Sequence, residues 1–175
     1  MYPVVLDAGC GTGLVGEQFR NVSGTLIGVD LSQAIIDEAK TRRPGLYNRT
    51  VAGDVVKILN SMPSHLDLVI AADSFIYFGD LDPLFSSIRY ALSQGSHAAF
   101  TLEGVDSEEG ATLEAANPGW RWRLTPSGRF AHRREYVVEA LEERGMEVVA
   151  YKPMEGFRYE NGKAVVGHLF VAKKT

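Results

Sequence analysis

The stretch Asp7-Ala8-Gly9-Cys10-Gly11-Thr12-Gly13 stands where an apolar, strand-like run ends and a helical pattern begins. Glycines at such a junction let a ligand approach the backbone while N–H groups at a helix start face it, the arrangement of a cofactor loop. Gly11-Thr12-Gly13-Leu14-Val15-Gly16 also satisfies G-x-G-x-x-G, and Asp30 follows at the spacing of a ribose-binding carboxylate, so a nicotinamide or flavin dinucleotide fits the spacing too. Charge separates the two readings better. The expected C-terminal ends of the first four strands carry Asp7, Asp30, Asp54 and Asp73, and open α/β sheets bind ligands at those ends. A pyrophosphate beside Asp7 meets a like charge at short range, whereas a nucleoside bearing an ammonium or sulfonium group is attracted. Asp30 can accept from both ribose hydroxyls and Asp54 from an exocyclic adenine amine, because ionised carboxylates are acceptors only. The bland alternative is that Asp54 and Asp73 cap helices or turns and that backbone N–H groups fix Asp7.

The elements that must position these residues alternate strand and helix from the first residue, the pattern of a parallel sheet with covering helices. Val4–Asp7, Thr25–Asp30, Tyr47–Ala52, Leu66–Ala72 and Ser96–Glu103 are apolar runs of strand length. Gly13–Phe19, Gln33–Arg42, Val55–Leu59 and Leu81–Leu92 between them are expected helices; in the last, Leu81, Leu84, Phe85, Ile88 and Leu92 recur every three or four positions. Arg134–Arg144 reads as a helix closed by Gly145, ahead of a strand at Met146–Lys152. Asn161-Gly162 lies between strand-like residues, a hairpin signal that makes the final strand, Lys163–Lys173, antiparallel to what precedes it. Gly104–Arg133 breaks the alternation, since connections of this type usually take about 2–6 residues. It holds an acidic stretch (Asp106, Glu108, Glu109), a short helical candidate (Ala111–Ala116), and then Trp120, Trp122, Arg129, His132 and further arginines.

Composition narrows the classes. A chain of 175 residues is expected to be one domain, 1–175, with 104–133 as an insertion, and 45% apolar with 23% charged residues excludes disorder. No apolar run reaches the ~18 residues of a membrane span and no signal-peptide pattern follows Met1, so the chain reads as cytoplasmic, without a membrane partner. Cys10 alone excludes an intrachain disulfide and any zinc site on paired cysteines, and no metal is expected. Eighteen Lys and Arg against 22 Asp and Glu give −4, the wrong sign for a nucleic-acid partner.

At the residues above the chain resembles the class I S-adenosylmethionine-dependent methyltransferases. Val5-Leu6-Asp7-Ala8-Gly9-Cys10-Gly11-Thr12-Gly13 is similar to their first motif, Gly28-Val29-Asp30-Leu31-Ser32 to the second, Ala52-Gly53-Asp54 to the third, and Leu66–Asp73 to the fourth strand, which ends beside the methyl group. Asp73–Leu81 and Ser127–His132 further resemble a bacterial group associated with tetratricopeptide repeats. The resemblance implies a doubly wound, Rossmann-like α/β sheet of seven strands in order 3-2-1-4-5-7-6 with strand 7 antiparallel. It also implies S-adenosyl-L-methionine as cofactor, contacted by Asp7, Ala8, Gly9, Gly11, Gly13, Asp30, Leu31, Asp54, Val55, Ala72 and Asp73. Members of the class carry helices before the first motif; the first strand here starts within four residues of Met1, so those cap helices are expected to be missing.

Methyl transfer is an in-line displacement that rests on positioning, and a base is needed only for a protonated nucleophile. His132, Tyr77 and Glu103 are the expected catalytic candidates, His132 foremost because its ordinary pKa lies near neutrality. Phe75, Tyr77, Trp120, Trp122, Arg129 and His132 are expected to meet the substrate, with 104–133 folded over the cofactor mouth. Five Arg and no acid between Ala115 and Arg134 favour a carboxylate or phosphate on it. Asp73-Ser74-Phe75-Ile76 is not the motif of amino-methylating nucleic-acid enzymes, and Glu103-Gly104 stands where a catechol-type metal site would place an Asp-Asn pair. The expected acceptor is O or N of a small molecule. The alternatives are a nucleoside-binding or partner module without turnover and, further off, a fragment of a dinucleotide oxidoreductase.

Overall fold

Apolar runs flanked by helical periodicity become the interior of one twisted sheet. In a computed structural model, which describes residues 1–160 and 162–175, the strands are β1 (Tyr2–Ala8), β2 (Ser23–Asp30), β3 (Arg49–Ala52), β4 (Leu66–Ala71) and β5 (Leu92–Glu103). They lie parallel in the order β3-β2-β1-β4-β5. β9 (Lys163–Lys174) then runs antiparallel along β5, and β8 (Met146–Glu160) antiparallel along β9. This is the expected order, with the last two expected strands corresponding to β8 and β9. Asn161 lies outside the described residues; Gly162 has φ 78° and Glu160 pairs with Lys163.

β8 continues from Lys152 to Glu160, well past its expected end. Pro153 reads as a break, yet β8 pairs only with β9 among the described residues, and a proline on such an edge removes no ladder bond that a neighbour needs. Register shifts between Val148 and Ala150 and between Met154 and Arg158 bend the strand toward the C-terminal ends of β4 and β5.

The helices follow their caps. α1 (Leu14–Phe19) leaves the glycine loop; the Ser32 hydroxyl accepts from the Ile35 N–H to start α2 (Gln33–Arg42), and Asp54 accepts from the Lys57 N–H to start α3 (Val55–Asn60). α4 (Asp82–Ala91) has a proline in its first turn. The 104–133 segment is not an irregular excursion. Asp106 caps α5 (Ser107–Ala116), with Glu108 and Glu109 in its first turn, so the acidic stretch is a helix start. β6 (Trp122–Leu124) and β7 (Phe130–His132) form an antiparallel hairpin whose second strand meets the end of β5 at Glu103 and Ala131. α6 (Arg134–Glu142) follows.

The larger core lies between the sheet and α3, α4 and α6, where Phe85, Phe100 and Phe170 pack ring to ring at 5.4 and 5.6 Å. Val5, Leu26, Leu68 and Ile70 form the smaller core on the other face. No helix of the described residues is long and apolar enough to cross a membrane. Tyr136 of α6 ties the core to the loop after β4: its hydroxyl accepts from the Leu81 N–H at 2.8 Å and donates toward Asp80 and Asp82. Tyr136→Phe leaves that buried N–H without a partner and is expected to lower stability by about 1–3 kcal/mol in urea unfolding. A loss below the error of the measurement would show that the hydroxyl does not hold this loop.

Candidate functional site

A cleft of about 500 Å³ opens along the C-terminal ends of β1, β2 and β4 and the loop beyond β3. Ala8, Gly9, Asp30, Leu31, Asp54, Val55, Asp73, Phe75 and Tyr77 line it as the sequence suggests. Val29, Gly53, Ser74 and Phe78, which lie within the quoted motif segments but were given no site role, and Ile35, which lies outside them, complete the wall.

Four backbone donors of the glycine loop are occupied within the protein. The Val29 carbonyl accepts from both the Gly9 and Cys10 N–H groups (2.8 and 2.9 Å), the Gly13 N–H bonds back to Cys10, and the Gly11 N–H donates to Asp30 Oδ2 at 3.1 Å. A pyrophosphate cradle needs such donors free. Asp30 Oδ1 also accepts from the Ser32 N–H at 3.0 Å, which aims the carboxylate and leaves each oxygen with acceptor capacity toward the cleft. Gly9 has φ 73°, and a Cβ there would stand 2.3 Å from Ser74 Cβ, so only glycine lets the first and fourth strand ends close on each other. The Ser74 hydroxyl seals that contact by donating to the Ala8 carbonyl at 2.7 Å.

Asp54 and Asp73 have local partners as well as places in the cleft. Asp54 caps α3, as the bland reading had it. Asp73 donates its N–H to Thr101 Oγ1 at 2.9 Å, and its carboxylate accepts from Arg158 Nη1 at 3.1 Å. The lining thus holds three carboxylates and no Lys or Arg, with Leu31, Ile35 and Val55 as apolar faces near Asp54. That set of acceptors fits an adenosine with a positively charged tail.

Other expected residues lie outside this lining. Asp7 is 1% exposed beneath the loop, where the Tyr47 hydroxyl donates to its Oδ2 at 2.7 Å, so it cannot meet a cofactor charge directly. Burial pushes its carboxyl up to about 6, against the lowering effect of Tyr47. Gly16, the last glycine of the loop pattern, is what allows this contact, since a Cβ would stand 2.5 Å from the Tyr47 oxygen. Cys10 is buried and its thiol is pushed up to about 12 by desolvation, which keeps it protonated. Gly11, Gly13 and Ala72 shape the loop and strand end without lining the cleft.

The substrate-side expectations need the largest revision. His132 is fully buried, its Nε2 faces the Gly79 carbonyl at 3.1 Å, and burial lowers its pKa to about 4. With Trp120 it borders a second cleft of about 410 Å³ near α5 and α6. Trp122 packs on Tyr136 at 5.5 Å and against Gly79. These aromatics turn inward because the β6–β7 hairpin needs its own apolar face. The arginines fasten the segment down: Arg121 to Asp82 at 2.7 Å, Arg123 to Glu109, Arg129 to Glu160 at 2.6 Å, Arg133 to Glu114 and Glu135, and Arg134 to Glu135. Glu103 is 4% exposed and paired with Arg158, while burial pushes its carboxyl above the ordinary range. Arg158, which no motif singled out, joins Asp73 to Glu103 at the ends of β4 and β5.

Residues 5–95 match the family described as "Methyltransferase domain". A magnesium-protoporphyrin O-methyltransferase of Rhodobacter capsulatus is 36% identical over 98 residues, covering 56% of this chain and 43% of that protein. An 18S rRNA (guanine-N(7))-methyltransferase of Bos taurus is 28% identical over 129 residues, 66% of this chain and 45% of that one. The chain therefore spans about half the length of these relatives. The crystal structure of the magnesium protoporphyrin IX methyltransferase from Synechocystis PCC 6803 with bound SAH superposes with a TM-score of 0.71 at 16% identity, covering 98% of this chain and 74% of that one, and so shares the fold. Since the family match takes in more than half of the sequence and the cleft sits on its motifs, the chain belongs to the methyltransferase-domain family, among the class I S-adenosylmethionine-dependent methyltransferases.

Proposed function

We propose that the chain binds S-adenosylmethionine in the cleft and transfers its methyl group to O or N of a small molecule. The observation that carries this reading is a lining of three carboxylates, of which Asp73 is ion-paired with Arg158 from outside the lining, beside a glycine loop in which four backbone donors are already taken. The cofactor supplies an electrophilic methyl on a sulfonium. Asp30 holds ribose hydroxyls, Asp54 accepts from the adenine amine, Leu31, Ile35 and Val55 cover the base, and Asp73 offers a carboxylate to the charged tail. Residues 1–175 act as one methyltransferase domain with 104–133 as its substrate-side insertion. The finer assignment, to the tetratricopeptide-repeat-associated group, is supported by residues 73–81 and 127–132 alone.

Among the proton-acceptor candidates, Tyr77 has the most direct position, 61% exposed on the cleft wall. Glu103 stands behind Asp73 through Arg158, and His132 holds the hairpin to the loop after β4. The role of His132 is then to place Phe78 and Gly79 rather than to take a proton. The acidic net charge supports a small-molecule acceptor over RNA, although the bovine relative bears the name of an rRNA methyltransferase.

Three outcomes test this reading. In calorimetry with S-adenosylhomocysteine, Asp30→Ala is expected to weaken binding by about 1.5–3 kcal/mol, the worth of charge-assisted hydrogen bonds; unchanged affinity removes the ribose role. With methyl-labelled cofactor, label is expected in a metabolite extract, and label appearing only in RNA overturns the acceptor class. The third outcome concerns pH. A histidine whose folded pKa is about 4 resists the proton that the unfolded chain takes at about 6.5, so stability is full above 6.5 and falls as pH drops toward 4. The loss from His132 is about 3 kcal/mol, and His168, lowered by its own burial, adds in the same direction. The difference between the wild-type chain and His132→Asn isolates the first share; parallel stability curves from pH 7 to 4 would show that His132 is accessible to protons and restore it as a base.

A further inference from the structure

The bent end of β8 carries two charged residues to the substrate side of the cleft. Arg158 donates from Nη1 to Asp73 at 3.1 Å, from Nη2 to Glu103, and from Nε to Glu160 Oε1 at 2.8 Å. The same Glu160 oxygen accepts from Arg129 Nη1 at 2.6 Å. Arg129 comes from the turn between β6 and β7 and stands beside Tyr77, whose hydroxyl is the first cause of its raised pKa. Arg129 Nε is buried and has no hydrogen-bond partner among the described residues.

Three carboxylates meet two guanidinium groups here, and they are not equivalent. Glu103 is buried under the sheet end and Asp73 is fixed at the end of β4, so both belong to the body of the fold. Glu160 sits next to the hairpin turn, and about a third of its side chain faces solvent. Its carboxylate is the only one of the three that touches both arginines among the described contacts. Guanidinium forks match any carboxylate or phosphate of that size, and a partly exposed ion pair is weak enough to exchange.

We propose that Arg129 and Arg158 form an anion seat beside Tyr77 and Asp73, that it takes a carboxylate or phosphate of the methyl acceptor, and that Glu160 fills it as a tethered competitor in the free protein. The seat places the acceptor's charge next to the cleft wall, so it deepens the methyl-transfer reading and rests on it for the identity of the acceptor, though not for the binding of the anion. Arg129 Nε is a donor of this seat that Glu160 leaves without a partner.

The test uses the full chain, with and without S-adenosylhomocysteine, titrated separately with inorganic phosphate and acetate by calorimetry, with the Arg129 Nε–H resonance followed by NMR in the chains that keep Arg129. Glu160→Gln is expected to tighten binding of at least one anion on the order of tenfold, the factor for a seat open about a tenth of the time. Arg129→Gln is expected to abolish it, and Arg158→Lys, which keeps a charge beside Glu103 and so protects the fold, to weaken it. The phosphate and acetate arms separate the two anion classes. Unchanged anion affinity in Glu160→Gln, or full affinity in Arg129→Gln with native circular dichroism, overturns the seat. Failure of S-adenosylhomocysteine to bind while the anion results hold would instead sink the methyl-transfer reading.

Discussion

The hydrogen-bond demand of the loop between β1 and α1 governs the cleft. A chain that turns from a buried strand into a helix leaves several backbone N–H groups without ladder partners, and these must be satisfied locally or by a ligand. Here one carbonyl, Val29, takes two of them and the Asp30 carboxylate takes a third. Both acceptors come from the end of β2, so the first two strand ends are locked in register by the loop that separates them. The Asp30 carboxylate is thereby oriented before any ligand arrives, which lowers the ordering cost of binding. The same bonds explain why a G-x-G-x-x-G spacing here does not make a phosphate site: the pattern supplies the turn, and the acceptor opposite the turn decides what is left for a ligand.

Below the loop, Asp7 plays a structural part that its position in the motif disguises. Its carboxylate is removed from water and has the Tyr47 hydroxyl as its side-chain partner. Such a group costs stability when ionised, so its presence in a small core implies a positional role. Tyr47 precedes β3 and packs over Gly16 and Gly28, so the Asp7–Tyr47 bond draws the β3 edge toward the loop. Asp54, at the other end of β3, is brought to the cleft by this edge.

The parallel core and four carboxylate-bearing strand ends were legible because each is a local pattern: an apolar run, a turn, then an acid. Asp30, Asp54 and Asp73 stand in the cleft for that reason. The substrate side was not legible, because its contacts join distant residues. Arg158 and Asp73 are 85 positions apart and Arg129 and Glu160 are 31 apart, and no periodicity encodes either pair. Two local signals were present and misweighed. Asp106-Ser107-Glu108-Glu109 is a helix start by its cap and first-turn charges, and Trp122–Leu124 with Phe130–His132 flank a Pro-Ser-Gly turn as a hairpin does. An excess of arginine suggested open positive charge; a segment that must be pinned to an acidic body needs the same excess, and that is the use the ion pairs make of Arg121, Arg123, Arg133 and Arg134.

Asp73 joins the two halves of the site through its backbone. It has φ 58°, a left-handed conformation that costs a non-glycine residue roughly 1–2 kcal/mol and that Asp tolerates better than most. A helical or extended residue there would carry the chain on along β4 or into the next turn and point the carboxylate elsewhere. The strained conformation is held from two sides, by the Thr101 hydroxyl on β5 and by Arg158 on β8. One of these restraints is neutral and internal to the parallel sheet; the other is a charge delivered by an edge strand that reaches the site only because of its bulges. Strain kept at a cleft by contacts from separate elements marks a group whose direction matters. The carboxylate of Asp73 is thus oriented by the sheet, and its charge is balanced by Arg158 of β8, so movement of Arg158 would alter the potential in the cleft without displacing the strand end that shapes it.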